Sequence, residues 1–144
     1  MRTPLSALLL VAIFGCGPAT EPSPDVSASL PTIAPEVLLA DRDGNARVIQ
    51  ALAGANSNLS LPHAIEYHFL CDSADQVEAI RKWGSEAGFE PANLNLEGDP
   101  YFGLDLVKST VPDLEAISAD SARMLQAAAM HGGSYDGWGC SVVE

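Results

Sequence analysis

Downstream of Pro62 the hydrophobic period switches repeatedly between two residues and three to four, and the order of those switches limits the fold more than any other feature. Ile65, Tyr67, Phe69 and Cys71 alternate with Glu66, His68 and Leu70, the pattern of a strand with one apolar face. Ser73-x-x-Gln76 reads as a capping box, and Val77, Ile80, Gly84 and Ala87 then share one side of a helix that ends at Gly88. Residues 89–96 suit a second strand, and Pro91, which cannot donate a ladder hydrogen bond, places it at a sheet edge. Gly98-Asp99-Pro100 turns the chain into a third strand, marked by Phe102, Leu104 and Leu106. Pro112 fits the first turn of another helix, with Leu114, Ile117, Ser121, Met124, Leu125 and Ala128 in its buried stripe and Gly132-Gly133 at its end. Trp138, Cys140 and Val142 alternate in a last strand.

Ahead of these elements, Val48, Ile49 and Leu52 predict a short helix over residues 43–53 with an acidic first turn. Asp41-x-Asp43-x-Asn45 resembles the start of a calcium loop, but Ala46 stands where that loop needs glycine and Leu52 where it needs glutamate, so capping is sufficient. The expected fold class is α+β: a ferredoxin-like βαββαβ sandwich preceded by a short N-terminal helix. In that arrangement the last strand lies antiparallel beside the first.

The N-terminus has the layout of an export signal. Arg2 precedes an apolar run from Leu5 to Phe14, too short to span a bilayer, which takes roughly 20 apolar residues. The Gly15-Cys16 junction resembles a bacterial lipobox, which implies cleavage before Cys16 and acylation of that residue; an ordinary signal cut near Ala19 is the alternative. Residues 17–40 hold Pro18, Pro22, Pro24, Pro31 and Pro35 among small polar residues and read as an extended tether. The expected organisation is a leader over residues 1–15, an acylated Cys16 with its tether to residue 40, and a single domain over residues 41–144. Two or more acyl chains give stable attachment. Gly17 in place of Asp resembles the sorting signal for an outer membrane, so the expected location is the cell envelope, lipid-anchored and facing the periplasm.

Compartment governs the other two cysteines. Cys71 and Cys140 are an even pair in a space where disulfides persist. If Cys140 starts the last strand and Cys71 ends the first, antiparallel pairing brings them together. A bridge between them is therefore expected; it would close a loop of roughly 70 residues, with an upper bound of roughly 4 kcal/mol in the chain-entropy picture. Two separate buried thiols are the alternative. The formal net charge of −12 argues against nucleic acid and anionic lipid surfaces as ligands and permits a basic protein partner, although solubility alone explains an acidic surface.

One string is specific enough to suggest kinship: Gly132-Gly133-Ser134-Tyr135-Asp136-Gly137-Trp138-Gly139 resembles the C-terminal signature of the regulator of ribonuclease E activity B (RraB) family. Asn58-Leu59-Ser60-Leu61-Pro62-His63 resembles that family's approach to its first strand, Glu66-Tyr67-His68-Phe69-Leu70 the strand, and Gly88-Phe89-Glu90 its helix exit. The likeness covers residues 41–144. It implies an α+β sandwich that acts by binding, inhibiting an RNA-degrading endonuclease through that enzyme's non-catalytic scaffold, with no catalytic residues and no cofactor. The export signal and the two cysteines depart from a cytosolic inhibitor, so the fold is expected to transfer and the cytosolic partner is not.

The residues themselves point the same way. No phosphate loop, nucleophile elbow or His-Glu-x-x-His is present. His68 and Cys71 stand on opposite faces of one strand, which disfavours both a metal site and a Cys-His nucleophile. No metal and no small-molecule substrate is therefore expected. The candidate partner contacts are Glu66, His68 and Asp105 on the sheet face opposite the helices, together with Tyr135 and Trp138; for the two aromatics a purely structural corner is the competing reading. The expected N-terminal helix is placed over that sheet face, covering it with Val48, Ile49 and Leu52. A non-catalytic binding protein is the preferred function, with a structural envelope lipoprotein or a small metal-dependent hydrolase as alternatives. Stoichiometric zinc in the purified protein would establish the last of these.

Overall fold

The structure is a computed structural model and describes residues 30–144. The expected leader, Cys16 and most of the tether lie outside the described residues. The elements run α1 (Pro35–Gly54), β1 (His63–Cys71), α2 (Ala74–Glu86), β2 (Glu90–Asn95), β3 (Phe102–Thr110), α3 (Leu114–His131) and β4 (Ser134–Gly139). The strands form one antiparallel sheet in the order β2-β3-β1-β4. This is the expected α+β arrangement, an N-terminal helix followed by β-α-β-β-α-β, with β4 beside β1 and the proline-bearing β2 at an edge.

Helices α2 and α3 cover one face of the sheet. Ile65, Tyr67 and Phe69 of β1 and Leu104 and Leu106 of β3 point into that layer, where they meet Val77 and Ile80 of α2 and Ile117, Met124 and Ala127 of α3. Alternation along β1 and β3 thus fills the core from one side. Local chemistry fixes the helix ends. Ser73 Oγ accepts from Gln76 N at 3.3 Å, while the Gln76 side chain accepts from Asp72 N rather than closing the box on Ser73. Asp113, one residue after Pro112, caps α3 by accepting from Glu115 N and Ala116 N. Gly132 ends α3 in the left-handed conformation, φ 81°, where glycine carries no steric penalty.

Two expectations give way. The first concerns α1, which spans 20 residues from Pro35 instead of starting near residue 43. Pro35 sits in its first turn with Glu36 beside it, so the last proline assigned to the tether is a helix start. Moreover, α1 packs against α3 and not over the open sheet face. Its polar residues fix that choice. Trp138 Nε1 donates to Asn45 Oδ1 at 2.9 Å, Asn45 Nδ2 donates to Asp41 and approaches Ser118, and Ser121 Oγ lies 2.8 Å from Asp41 Oδ1. An Arg42–Glu115 ion pair closes the solvent side.

The second is the Cys71–Cys140 disulfide, which does not form; both cysteines are free. β4 begins four residues earlier than the sequence pattern suggested and ends at Gly139, so Cys140 follows the strand instead of starting it. Ser134 pairs with Leu70 and Gly139 with Glu66. Cys71 therefore lies near Gly133, whereas Cys140, just past the end of β4, lies toward the opposite end of β1, near Glu66. At about 3.3 Å per residue the two are roughly 20 Å apart along the strand, against a limit of about 7 Å between Cα atoms in a disulfide.

The uncovered sheet face as candidate functional site

The face opposite α2 and α3 can be read as rows across the strands. Glu90, Val107, Glu66 and Gly139 form one row, Ala92, Asp105 and His68 the next, and Asn95, Gly103, Leu70 and Ser134 a third. β1 and β3 place these side chains here by strict alternation with the core residues. The centre is a polar relay: His68 Nδ1 pairs with Asp105 Oδ1 at 2.6 Å, and Asn93 Nδ2 donates to Asp105 Oδ2 at 2.6 Å. Asn93 adopts φ 49°, left-handed backbone that asparagine tolerates, and this turns its amide toward Asp105.

Around the relay lies an open cleft of about 570 Å³ lined by His68, Leu70, Asn93, Asn95, Pro100, Tyr101, Gly103, Asp105 and Asp136. Tyr101 is 54% exposed and its ring lies against Gly103, beside the position a Cβ would occupy. Gly103 is needed for a second reason: a Cβ there would stand 2.5 Å from the Phe69 carbonyl oxygen. No serine, threonine or cysteine among the described residues lines the cleft. Among the described residues no three His, Cys, Asp or Glu side chains converge to hold a metal ion. What the cleft offers is two carboxylates, Asp105 and Asp136, a partly exposed imidazole and the aromatic surface of Tyr101.

Of the residues singled out from sequence, His68 and Asp105 meet in the cleft, and Glu66 shares the sheet face one row away. Tyr135 and Trp138 do not. A register shift between Tyr67 and Phe69 sets two residues of β4, Asp136 and Gly137, against His68 alone of β1, with Gly137 at φ 95° in the bulge. Tyr135 and Trp138, three apart, consequently both turn toward the core, and Trp138 is 8% exposed. The reading of Trp138 as a partner contact gives way to the structural one. Asp136, in the same bulge, reaches the cleft instead. Simple alternation missed it, as it missed Tyr101 and Asn93, because each depends on a bulge or turn.

Buried polar chemistry elsewhere serves the fold. Tyr67 Oη donates to Asp120 Oδ2 at 3.3 Å, and Lys108 Nζ lies 2.8 Å from the same carboxylate oxygen. Burial, followed by the nearby Asp120 charge, holds the Tyr67 phenol well above its ordinary range. Burial likewise raises Tyr135, whose hydroxyl lies 3.0 Å from Ser121 Oγ. His63 is fixed between Leu61 O at 2.8 Å and Ser57 Oγ at 2.7 Å, and Val143 N donates to Ser57 Oγ, clipping the C-terminal tail to the β1 approach. Burial raises the thiols of Cys71 and Cys140, helped by Asp72 and Glu66 respectively.

The fold and this face define an α+β sandwich with one sheet surface left bare by the described residues. Residues 42–140 match the family described as Regulator of ribonuclease activity B. A protein of that name from Pseudoalteromonas atlantica is 32% identical over 69% of this chain and 89% of its own length. One from Aeromonas salmonicida is 34% identical over 67% and 88%, and one from Aeromonas hydrophila 32% identical over 72% and 93%. The chain belongs to the Regulator of ribonuclease activity B family.

Proposed function

We propose that this protein is an exported, lipid-anchored regulator that acts without catalysis, by binding a protein partner through the uncovered face of its sheet. The observation that carries the reading is the position of α1, which packs on α3 and leaves Glu66, His68 and Asp105 accessible. The names of its relatives support a regulatory role exerted on a protein. The Arg2-to-Cys16 pattern supports display in the envelope, attached through acylated Cys16, outer-membrane bound and facing the periplasm. A protein placed there does not meet a cytosolic ribonuclease, so its partner is an envelope protein. Mass spectrometry of the mature N-terminus, combined with fractionation, tests the placement. An acylated N-terminal Cys16 in the membrane fraction is expected. Unprocessed chain in the cytosol, copurifying with a ribonuclease, would overturn it.

A further inference from the structure

Carboxylates are spread over the folded domain, but its basic side chains are segregated. Arg42 and Arg47 stand on α1, Arg81 and Lys82 on α2, and Arg123 on α3, while Lys108 leaves β3 on the core side to meet Asp120. These are all the lysines and arginines among the described residues. The uncovered sheet face therefore has none. It carries Glu66, Glu90, Asp105 and Asp136, with His68 as the one ionisable nitrogen near them. Between these carboxylates run Val107, Leu70 and the open ring of Tyr101.

We propose that this face receives a segment of another protein in which arginine or lysine side chains lie beside apolar ones. The inference rests on the reading of the sheet face as the binding surface and adds the chemistry of what binds. Leu70, Val107 and Tyr101 take the apolar side chains. Glu66 takes one cation from the row beside His68 and Asp136 another from the bulge opposite His68, and the Tyr101 ring offers a cation a π surface. Placing every lysine and arginine of the described residues on the far side removes the repulsion such a segment would meet and orients its approach. A nucleic acid or an anionic lipid surface would meet only like charge here.

The test titrates the full-length protein in detergent with a labelled synthetic peptide alternating arginine and leucine, and with its glutamate–leucine counterpart. We expect the arginine peptide to bind, the glutamate peptide not to bind, and the affinity to fall as salt is raised. The double variant Glu66→Gln/Asp136→Asn should weaken binding about ten-fold or more. Glu86→Gln, an exposed charge on α2, should leave it unchanged. Equal loss from Glu86→Gln would show diffuse attraction to net charge and overturn the proposal, as would absence of binding. If the peptide fails while a photoreactive probe at Glu66 still captures an envelope protein, the partner chemistry is wrong and the binding surface stands. If both fail, both readings fall.

Discussion

Trp138 and Asn45 meet across the interior from β4 and α1, and the pair shows what one residue decides here. Asn45 is 3% exposed and accepts the indole N–H. Asn45→Ala leaves that donor buried without a partner and is expected to cost about 1–3 kcal/mol; Trp138→Ala also empties core volume and should cost about 3–5 kcal/mol. The double variant should lose less than the sum, measured by urea unfolding, because both remove the same bond. The phenols of Tyr67 and Tyr135 give a pH dependence. Their folded-state pKa values lie above the unfolded value of about 10, so the unfolded chain releases these protons first. Their contribution is complete below about pH 10 and falls as pH climbs past it, by about 1.4 kcal/mol per unit for each phenol. Tyrosinate absorbance from these two residues should appear together with loss of circular dichroism; ionisation in a folded chain would contradict this. The sequence made Trp138 legible as a large side chain at a corner. It hid the choice between core and surface, because a bulge breaks the two-residue period on which that choice depends.

At the scale of elements, alternation gave β1 and β3 their faces correctly and placed β2 at the edge through Pro91. The misreadings cluster where a signal has two meanings. Pro35 fits a proline-rich tether and also a helix start; Glu36 beside it and the apolar residues after it favour the helix, which begins there. Asp41, Asp43 and Asn45 suggested the capped, acidic start of a helix, yet they lie well inside α1, where Asp41 and Asn45 are the groups that attach it to α3 and β4. This attachment decided which surface stays bare, and no period in the sequence records it. Strand β3 depends on Gly103, where a Cβ would press on the backbone oxygen of Phe69. Gly103→Ala should separate β3 from β1 locally and cost about 1–3 kcal/mol, seen as a lower denaturant midpoint. An unchanged midpoint would show that the strands tolerate the separation.

For the whole molecule, topology and charge placement matter more than any pair of contacts. The order β2-β3-β1-β4 was legible because the switches between strand and helix periods were clear. The cysteine pairing was not, since it turned on where β4 begins, and an error of four residues carried Cys140 to the opposite end of β1. Intact protein is therefore expected to carry two unbridged thiols at Cys71 and Cys140, and a reductant should leave its denaturant midpoint unmoved. Alkylation near pH 8 should be slow compared with a free cysteine, because burial raises both thiols and keeps the thiolate scarce. A mass lower by two hydrogens, restored by reductant without dimer formation, would contradict the strand register.

Site-specific photo-crosslinking in intact cells reaches the binding surface most directly. With the probe at Glu66 on the bare sheet face, we expect a discrete adduct with an envelope protein; with the probe at Lys82 on the outer side of α2, we expect none. Adducts formed from Lys82 and not from Glu66 would contradict the assignment of function to that face.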